Sequence, residues 1–283
     1  MSEVFSIVQG EYGKIVVLEV RHDLVPHAHS EIQFGFWLGG GKCQGVVTDE
    51  PVIYSETQAV AINRYQSHDL VIGKDLEPVM MLMLYIREEW FDDRFTGKSG
   101  PYIFHTSQLT CTSEMRSQCW KLMQKTLLIS DGNKISIEDD LKDLLKLCIA
   151  ASSTTSREAS PSIRRKLIDF RLRAAITHIQ ENVTTKDLMK TLAKTVGVSR
   201  SRLYELFKND LHSSPKLIQN SMLLEIAINK MAQRDSDIST ISRSLGFSSA
   251  ANFSRFFRSH KGITPTSYQR KISSSSPHGT SQI

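Results

Sequence analysis

The chain has 283 residues, 40% apolar and 23% charged, enough for two ordinary domains with cores of their own. No apolar run approaches the roughly 18 residues of a transmembrane helix, and the first residues lack the basic start and apolar stretch of a signal peptide, so a cytoplasmic protein with no membrane partner is expected. The net charge of +5 is unevenly spread: residues 163–283 hold 20 Lys and Arg against 8 Asp and Glu, whereas residues 1–162 hold 15 against 22. That asymmetry fits one half that meets a polyanion and one that does not.

Residues 1–110 read as short strands. Lys14–Val20, Glu31–Leu38, Gln44–Val47 and Val79–Ile86 are rich in β-branched and other apolar residues, and Gly39, Gly40 and Gly41 mark a turn between two of them. Strands at this spacing predict an all-β barrel or sandwich. Beyond Cys111 the period changes. Met115, Cys119, Leu122, Thr126 and Ile129 recur at steps of three and four, as do Ile137, Leu141, Leu144, Leu145 and Cys148, which predicts two amphipathic helices broken at Asp131-Gly132-Asn133. Such helices would cover the β core or pair with a second subunit.

Residues 151–162 are almost all small or polar and are expected to be a linker, because they bury too little to offset the entropy of ordering. The tail 273–283 is similar and is expected to be disordered. Between them, 163–272 reads as helical, starting with a stripe of Ile168, Leu172, Ala175 and Ile179. Ser214 is placed to cap a long helix with Leu217, Leu224, Ile228 and Met231 on one face, widened by Ile218, Met222 and Ile226.

This half contains an internal repeat, Leu188 to Asp210 and Ile238 to His260. In each copy a short apolar helix leads to a glycine (Gly197 or Gly246), an apolar residue (Val198 or Phe247) and a serine (Ser199 or Ser248), and then a second helix begins. Glycine supplies the positive φ that ends a helix and turns the chain. The apolar residue fills the corner, and the serine accepts from a free N–H of the next helix. Leu203 with Phe207, and Phe253 with Phe257, anchor the second helices. The faces left outside carry Ser199, Arg200, Ser201, Arg202, Tyr204, Glu205 and Lys208 in the first copy, and Ser249, Ala250, Ala251, Asn252, Ser254, Arg255 and Arg258 in the second. Small, polar and basic side chains on a protruding helix suit reading of the major groove. A connecting helix of about 20 residues spans about 30 Å, close to the roughly 34 Å of one DNA turn, so the two helices are expected to enter successive grooves.

Residues from about 168 to 271 resemble the DNA-binding domain of the AraC/XylS family of bacterial transcription regulators. The resemblance is carried by Gly246-Phe247, Phe253, Arg255, Phe257, Gly262, Thr264-Pro265 and Tyr268, with Ser214-Pro215 after the first unit. Leu223, Ser242 and Gln269 depart from the family's usual arginine, alanine and arginine, and Ala250-Ala251-Asn252 is an unusual opening for the second reading helix. The resemblance implies two domains: an all-β, cupin-like barrel with appended helices over 1–150 for effector binding and dimerisation, and an all-α domain with two helix-turn-helix units joined by a long helix over 163–272. It also implies a non-enzymatic regulator, an activator by expectation, with double-stranded DNA, RNA polymerase, a small-molecule effector and a second copy of the chain as partners.

Within 10–150 the resemblance aligns Pro26-His27-Ala28-His29, Gln33 and Gly40 with a first cupin motif, Gln33 standing where metal-binding cupins carry glutamate, and His68 with the second. His27, His29, Gln33, Trp37, Arg64 and His68 are the implied effector-binding set. No metal or other cofactor is expected, since the anionic ligand is missing. The alternatives are a cupin-type metalloenzyme or metal sensor fused to a DNA-binding module, and a signal-independent activator whose β domain only dimerises. Gly41-Lys42-Cys43-Gln44-Gly45 has the spacing of a nucleophile elbow, but the Val46-Val47-Thr48 that follows reads as a strand rather than a helix. Cys43, Cys111, Cys119 and Cys148 lack CxxC spacing and are expected to be ordinary thiols.

Overall fold

The computed structural model describes residues 2–73, 77–96, 104, 106–130, 132–133, 135–154, 170–233 and 236–275. Among the described residues the N-terminal half holds ten strands: β1 (Glu3–Gly10), β2 (Gly13–Val20), β3 (Leu24–His27), β4 (Ile32–Gly40), β5 (Cys43–Val47), β6 (Glu50–Tyr54), β7 (Gln58–Ile62), β8 (His68–Ile72), β9 (Val79–Ile86) and β10 (Gln108–Thr110). They form two antiparallel sheets, ordered β1-β2-β9-β4-β7-β10 and β3-β8-β5-β6. The arrangement is the expected cupin-like β domain, but among the described residues no strand pairing joins the two sheets into a closed barrel. Cys43–Val47 is a strand of the smaller sheet, so the Gly41–Gly45 stretch is part of a hairpin and not a nucleophile elbow.

The larger sheet is buried on both faces. Val16, Leu18, Val60, Ile62, Met81 and Met83 face the smaller sheet's Val47, Val52, Leu70 and Ile72. On the other face Ile15, Val17, Phe34, Phe36, Leu82 and Leu84 pack against α2 (Ser113–Ser130) and α3 (Glu138–Thr154) through Met115, Cys119, Leu122, Leu141, Leu144 and Cys148. Double burial explains why β2 and β9 are nearly continuous apolar runs. It also settles what the two amphipathic helices cover: their apolar stripes lie on the sheet. A buried hydrogen bond from Ser6 Oγ to the Thr126 carbonyl, 2.9 Å, ties α2 to β1. A short helix, α1 (Glu88–Phe91), runs into a π-helical turn at Asp92–Thr96.

Two boundaries differ from expectation. α3 continues through Thr154, four residues into the segment read as linker, with Ser152 Oγ donating to the Ile149 carbonyl; small residues tolerate a helix end well. The rest of that segment, 155–162, and Ile168 lie outside the described residues. The last helix continues through Ser275, three residues into the expected tail, of which 276–283 lie outside the described residues.

The regular elements among the described residues of the C-terminal half are helices: α4 (Phe170–Glu181), α5 (Leu188–Thr195), α6 (Arg200–Leu211), α7 (Pro215–Met231), α8 (Ile238–Ser244), α9 (Ala250–Lys261) and α10 (Pro265–Ser275). Its 17 residues make α7 about 26 Å long. Ile218, Met222, Leu224, Ala227 and Ile228 are buried, so much of its girth is enclosed. Ser214 caps it, Oγ accepting from the Leu217 N–H at 3.3 Å, with Pro215 in the first turn, where a missing N–H costs nothing.

The two halves share one apolar cluster, which runs from the space between the sheets into the helical core. α10 lies against β1, and the C-terminal end of α9 against β3. Polar contacts flank these: Ser30 Oγ donates to Glu225 of α7 at 3.0 Å, and the Ser67 N–H donates to the His212 carbonyl at 3.3 Å. Among the described residues no helix is long and apolar enough to cross a membrane.

Candidate nucleic-acid interface

Each helix-turn-helix corner follows from its local sequence. Gly197 and Gly246 end α5 and α8 at φ +70° and +79°, values that side chains with a Cβ rarely adopt. Behind each glycine the chain makes a helix-ending hydrogen bond, from the Val198 N–H to the Ala193 carbonyl and from the Phe247 N–H to the Ser242 carbonyl. Val198 and Phe247 pack on the core. The caps differ by one residue. Ser199 Oγ accepts from the Arg202 N–H at 3.1 Å and starts α6. In the second unit the capping serine is Ser249, not Ser248: Ser249 Oγ accepts from the Asn252 N–H at 3.1 Å. Ser248 instead accepts from the Asn252 side-chain amide at 2.5 Å, because the second turn is one residue longer. Asp237 caps α8, its carboxylate accepting from the Thr240 N–H at 2.9 Å. That bond holds the Asp237 carboxyl below its ordinary range.

Leu203, Phe207, Phe253 and Phe257 are all at most 1% exposed and anchor α6 and α9 from below. Above them Ser199, Arg200, Ser201, Arg202, Tyr204, Glu205 and Lys208 are exposed. On α9, Ser249, Ala251, Arg255 and Arg258 are exposed, and Ala250, Asn252 and Ser254 are half-buried. The first face is pre-ordered by an ion pair between Arg202 and Glu205 at 3.3 Å and by the Arg200 guanidinium 5.8 Å over the Tyr204 ring. On the second, Arg255 donates to the Asn252 side-chain oxygen. On the buried side of α9 the Phe247 ring meets the Phe253 ring edge-on and the Phe253 ring meets that of Phe257 at a tilt.

The six residues of the implied effector set separate into two groups. His27, His29 and His68 come together, with ring centroids 4.3–4.9 Å apart, and Gln33 is buried beside them. The pairing of β3 with β8 sets His27 opposite His68. His27, Gln33 and His68 line a cavity of about 30 Å³. Trp37 and Arg64 do not join them. The Trp37 indole N–H donates to the Gly41 carbonyl at 3.1 Å. Arg64 pairs with Glu88 and donates from Nε to the Ser30 carbonyl at 3.0 Å. Arg64 lines a different and larger cleft of about 360 Å³, where Lys14, Glu31 and Arg87 meet Glu225 and Asn229 of α7.

Charge in this region is strongly perturbed. Burial pushes the His27 and His29 imidazoles well below their usual range, reinforced by His68 for His27 and by Lys261 for both. Burial brings His68 down to about 4. Lys14 and Glu31 form a 2.7 Å ion pair. Burial would raise the Glu31 carboxyl, but the Lys14 ammonium holds it at about 2.

Two further residues of this region belong to α9 and were not picked out from the sequence. His260 lies with its ring 6.2 Å from that of His27, and the Lys261 ammonium lies 5.1 Å from the Tyr85 ring centroid. Burial, with help from nearby Lys14, lowers Lys261 to about 7. The available signal was the helix period: His260 and Lys261 follow buried Phe257 by three and four residues and so lie on its side of the helix.

Comparison with known proteins gives matches at two levels. The family of the helix-turn-helix domain matches residues 192–271. The raffinose operon transcriptional regulatory protein RafR of Pediococcus pentosaceus is 29% identical over 98 residues, 35% of this chain and 35% of that protein. The lactose operon transcription activator of Staphylococcus xylosus is 33% identical over 97 residues, 34% of this chain and 33% of that protein. The chain thus matches about a third of the length of these curated relatives. Over nearly its whole length the fold is similar to the crystal structure of ToxT from Vibrio cholerae O395, with a TM-score of 0.57 at 12% identity, covering 91% of this chain and 97% of that one.

Proposed function

Through its helix-turn-helix domain the chain belongs to the AraC/XylS family of transcription regulators, and from that premise we propose that the protein binds double-stranded DNA and regulates transcription rather than catalysing a reaction. The observation that carries this is the repeated corner at Gly197 and Gly246, with an anchored helix behind each glycine and an exposed basic and polar face above the anchors. In this reading Arg200, Ser201, Arg202, Tyr204, Glu205 and Lys208 of α6, with Ser199 at its cap, and Ala250, Ala251, Asn252, Ser254, Arg255 and Arg258 of α9, with Ser249 at its cap, form the DNA-reading set. Arg202 and Arg255 contact bases; Lys208 and Arg258, farther along their helices, contact phosphates.

The protein acts in the cytoplasm as a homodimeric activator with RNA polymerase as a partner. Support for activation comes from the lactose operon transcription activator among its relatives. A polar small-molecule effector binds in the 360 Å³ cleft between the halves, whose lining of Lys14, Arg64, Arg87, Glu31 and Glu225 suits a hydrogen-bonding ligand. The histidine cavity, at about 30 Å³, has room for an ion or a water but not for an organic effector.

Selection of genomic fragments by the full-length protein, followed by footprinting and titration at several salt concentrations, tests the central reading. A discrete motif spanning two successive major grooves is expected, with affinity that falls steeply with salt as phosphate counterions are released. Equal affinity for selected and random duplexes at matched salt would overturn it.

A further inference from the structure

We propose that His27, His29 and His68 form a binding site for one divalent transition-metal ion of the imidazole-preferring zinc or ferrous class, with Gln33 Oε1 as a neutral oxygen donor beside them. This stands independently of the DNA-binding reading.

Ligand atoms of the three histidines all lie within 4.8 Å of one another. Nitrogens on a tetrahedral zinc, at about 2.0–2.1 Å from the metal, sit about 3.4 Å apart, so small side-chain rotations close the set. The unused atoms carry the argument further. Among the described residues His29 Nε2, His68 Nε2 and Gln33 Oε1 are buried and have no hydrogen-bond partner, although buried polar atoms in folded proteins are almost always satisfied. Three orphans among neighbouring side chains point to a missing shared partner.

The backbone has already oriented two of the rings for it. His27 Nδ1 lies 2.7 Å from the Val25 carbonyl, and His68 Nδ1 lies 2.9 Å from the Gln66 carbonyl. Each Nδ1 therefore carries the proton and donates, which leaves each Nε2 with a free lone pair. Metal-bound histidines are held in this way, one nitrogen on the metal and the other donating to a carbonyl. The cavity lined by His27, Gln33 and His68 has room for one ion. Neutral imidazoles with no carboxylate among them favour zinc or ferrous iron over magnesium or calcium, which prefer oxygen ligands. His260 and Lys261 line the same cavity from α9, so the DNA-binding half closes the site.

The test uses the full-length protein, stripped with a chelator, desalted and titrated with Zn²⁺, and in parallel with Co²⁺ to read coordination from its visible spectrum. One ion per chain is expected, with the melting temperature raised on loading. His27→Ala and His68→Ala should each weaken binding by at least about a hundredfold, since even residues that only support metal ligands account for 10–100-fold. Gln33→Glu, which adds an anionic donor, should tighten it. His22→Ala, at an exposed histidine away from the cavity, should leave stoichiometry and affinity unchanged. Failure of the wild-type protein to retain either ion would overturn the site and assign the cavity to water. Unchanged affinity in both alanine variants with intact circular dichroism would do the same. Should those variants misfold, unchanged affinity in Gln33→Glu counts against the proposal.

Discussion

Arg202 and Arg255 stand on helices whose undersides are fixed by buried aromatics, so reading and folding can be separated by single substitutions. Arg202→Ala and Arg255→Ala remove exposed side chains with only local partners, an ion pair to Glu205 and a hydrogen bond to Asn252. Each is expected to lower preference for the operator by about 1–3 kcal/mol, while the melting temperature moves little, because an exposed pair contributes only about 0–1 kcal/mol. Phe257→Ala empties a fully buried site flanked by the Phe253 and Tyr268 rings. It should destabilise the protein by about 3–5 kcal/mol. Binding curves and thermal melts on the same preparations separate the two classes. Early melting of the arginine variants would assign them to the fold instead of the interface.

At the scale of elements, the second corner is the more constrained. Gly246 sits at φ +79°, and a Cβ there would also meet the Thr184 carbonyl oxygen at 3.1 Å. Gly246→Ala should therefore be destabilising by at least the roughly 1–2 kcal/mol of a left-handed residue. At Gly197 the space is open, so Gly197→Ala should incur the backbone term alone and be the milder of the pair. Ser249→Ala removes the cap of α9 and should cost about 1 kcal/mol, whereas Ser248→Ala should cost less; equal losses in chemical denaturation would contradict the assigned cap. This corner also shows what a sequence can tell. Glycine, a packed residue and a serine signalled both turns, and the 3.6-residue period identified the anchors, because those signals are local. One extra residue in the second turn was not legible, since Ser248 and Ser249 are chemically identical and only the path of the chain decides between them. The convergence of His27, His29 and His68 was partly legible as motif spacing. The separation of Arg64 and Trp37 from it was not, because it depends on Glu88 and Gly41 capturing them. The docking of His260 and Lys261 depends on how the two halves meet, which no local pattern encodes.

For the whole molecule, two expectations follow from how the apolar surface is used. The inner stripes of α2 and α3 are spent on the larger sheet, so pairing of two chains through these helices must use what remains outside, above all Trp120 and Leu128, 44% and 46% exposed and two turns apart on α2. Light scattering should find a dimer for the wild type and a monomer for Trp120→Glu/Leu128→Glu; a dimer that survives both changes places the interface elsewhere. The second concerns cooperativity. One apolar cluster continues from the sheets into the helical half, so calorimetry of the full chain should show a single unfolding transition, and two resolved transitions would mean that the halves are energetically separate. The packing of α10 on β1 carries a further consequence for how the protein is made. These are the last and first described elements, and a chain emerges from the ribosome in order. β1 must wait, with that flank uncovered, while everything between is synthesised, and contacts so distant in sequence are slow to form. During that interval the nascent β domain exposes apolar surface to whatever else is in the cell, and the exposure ends only when α10 has been released to cover it.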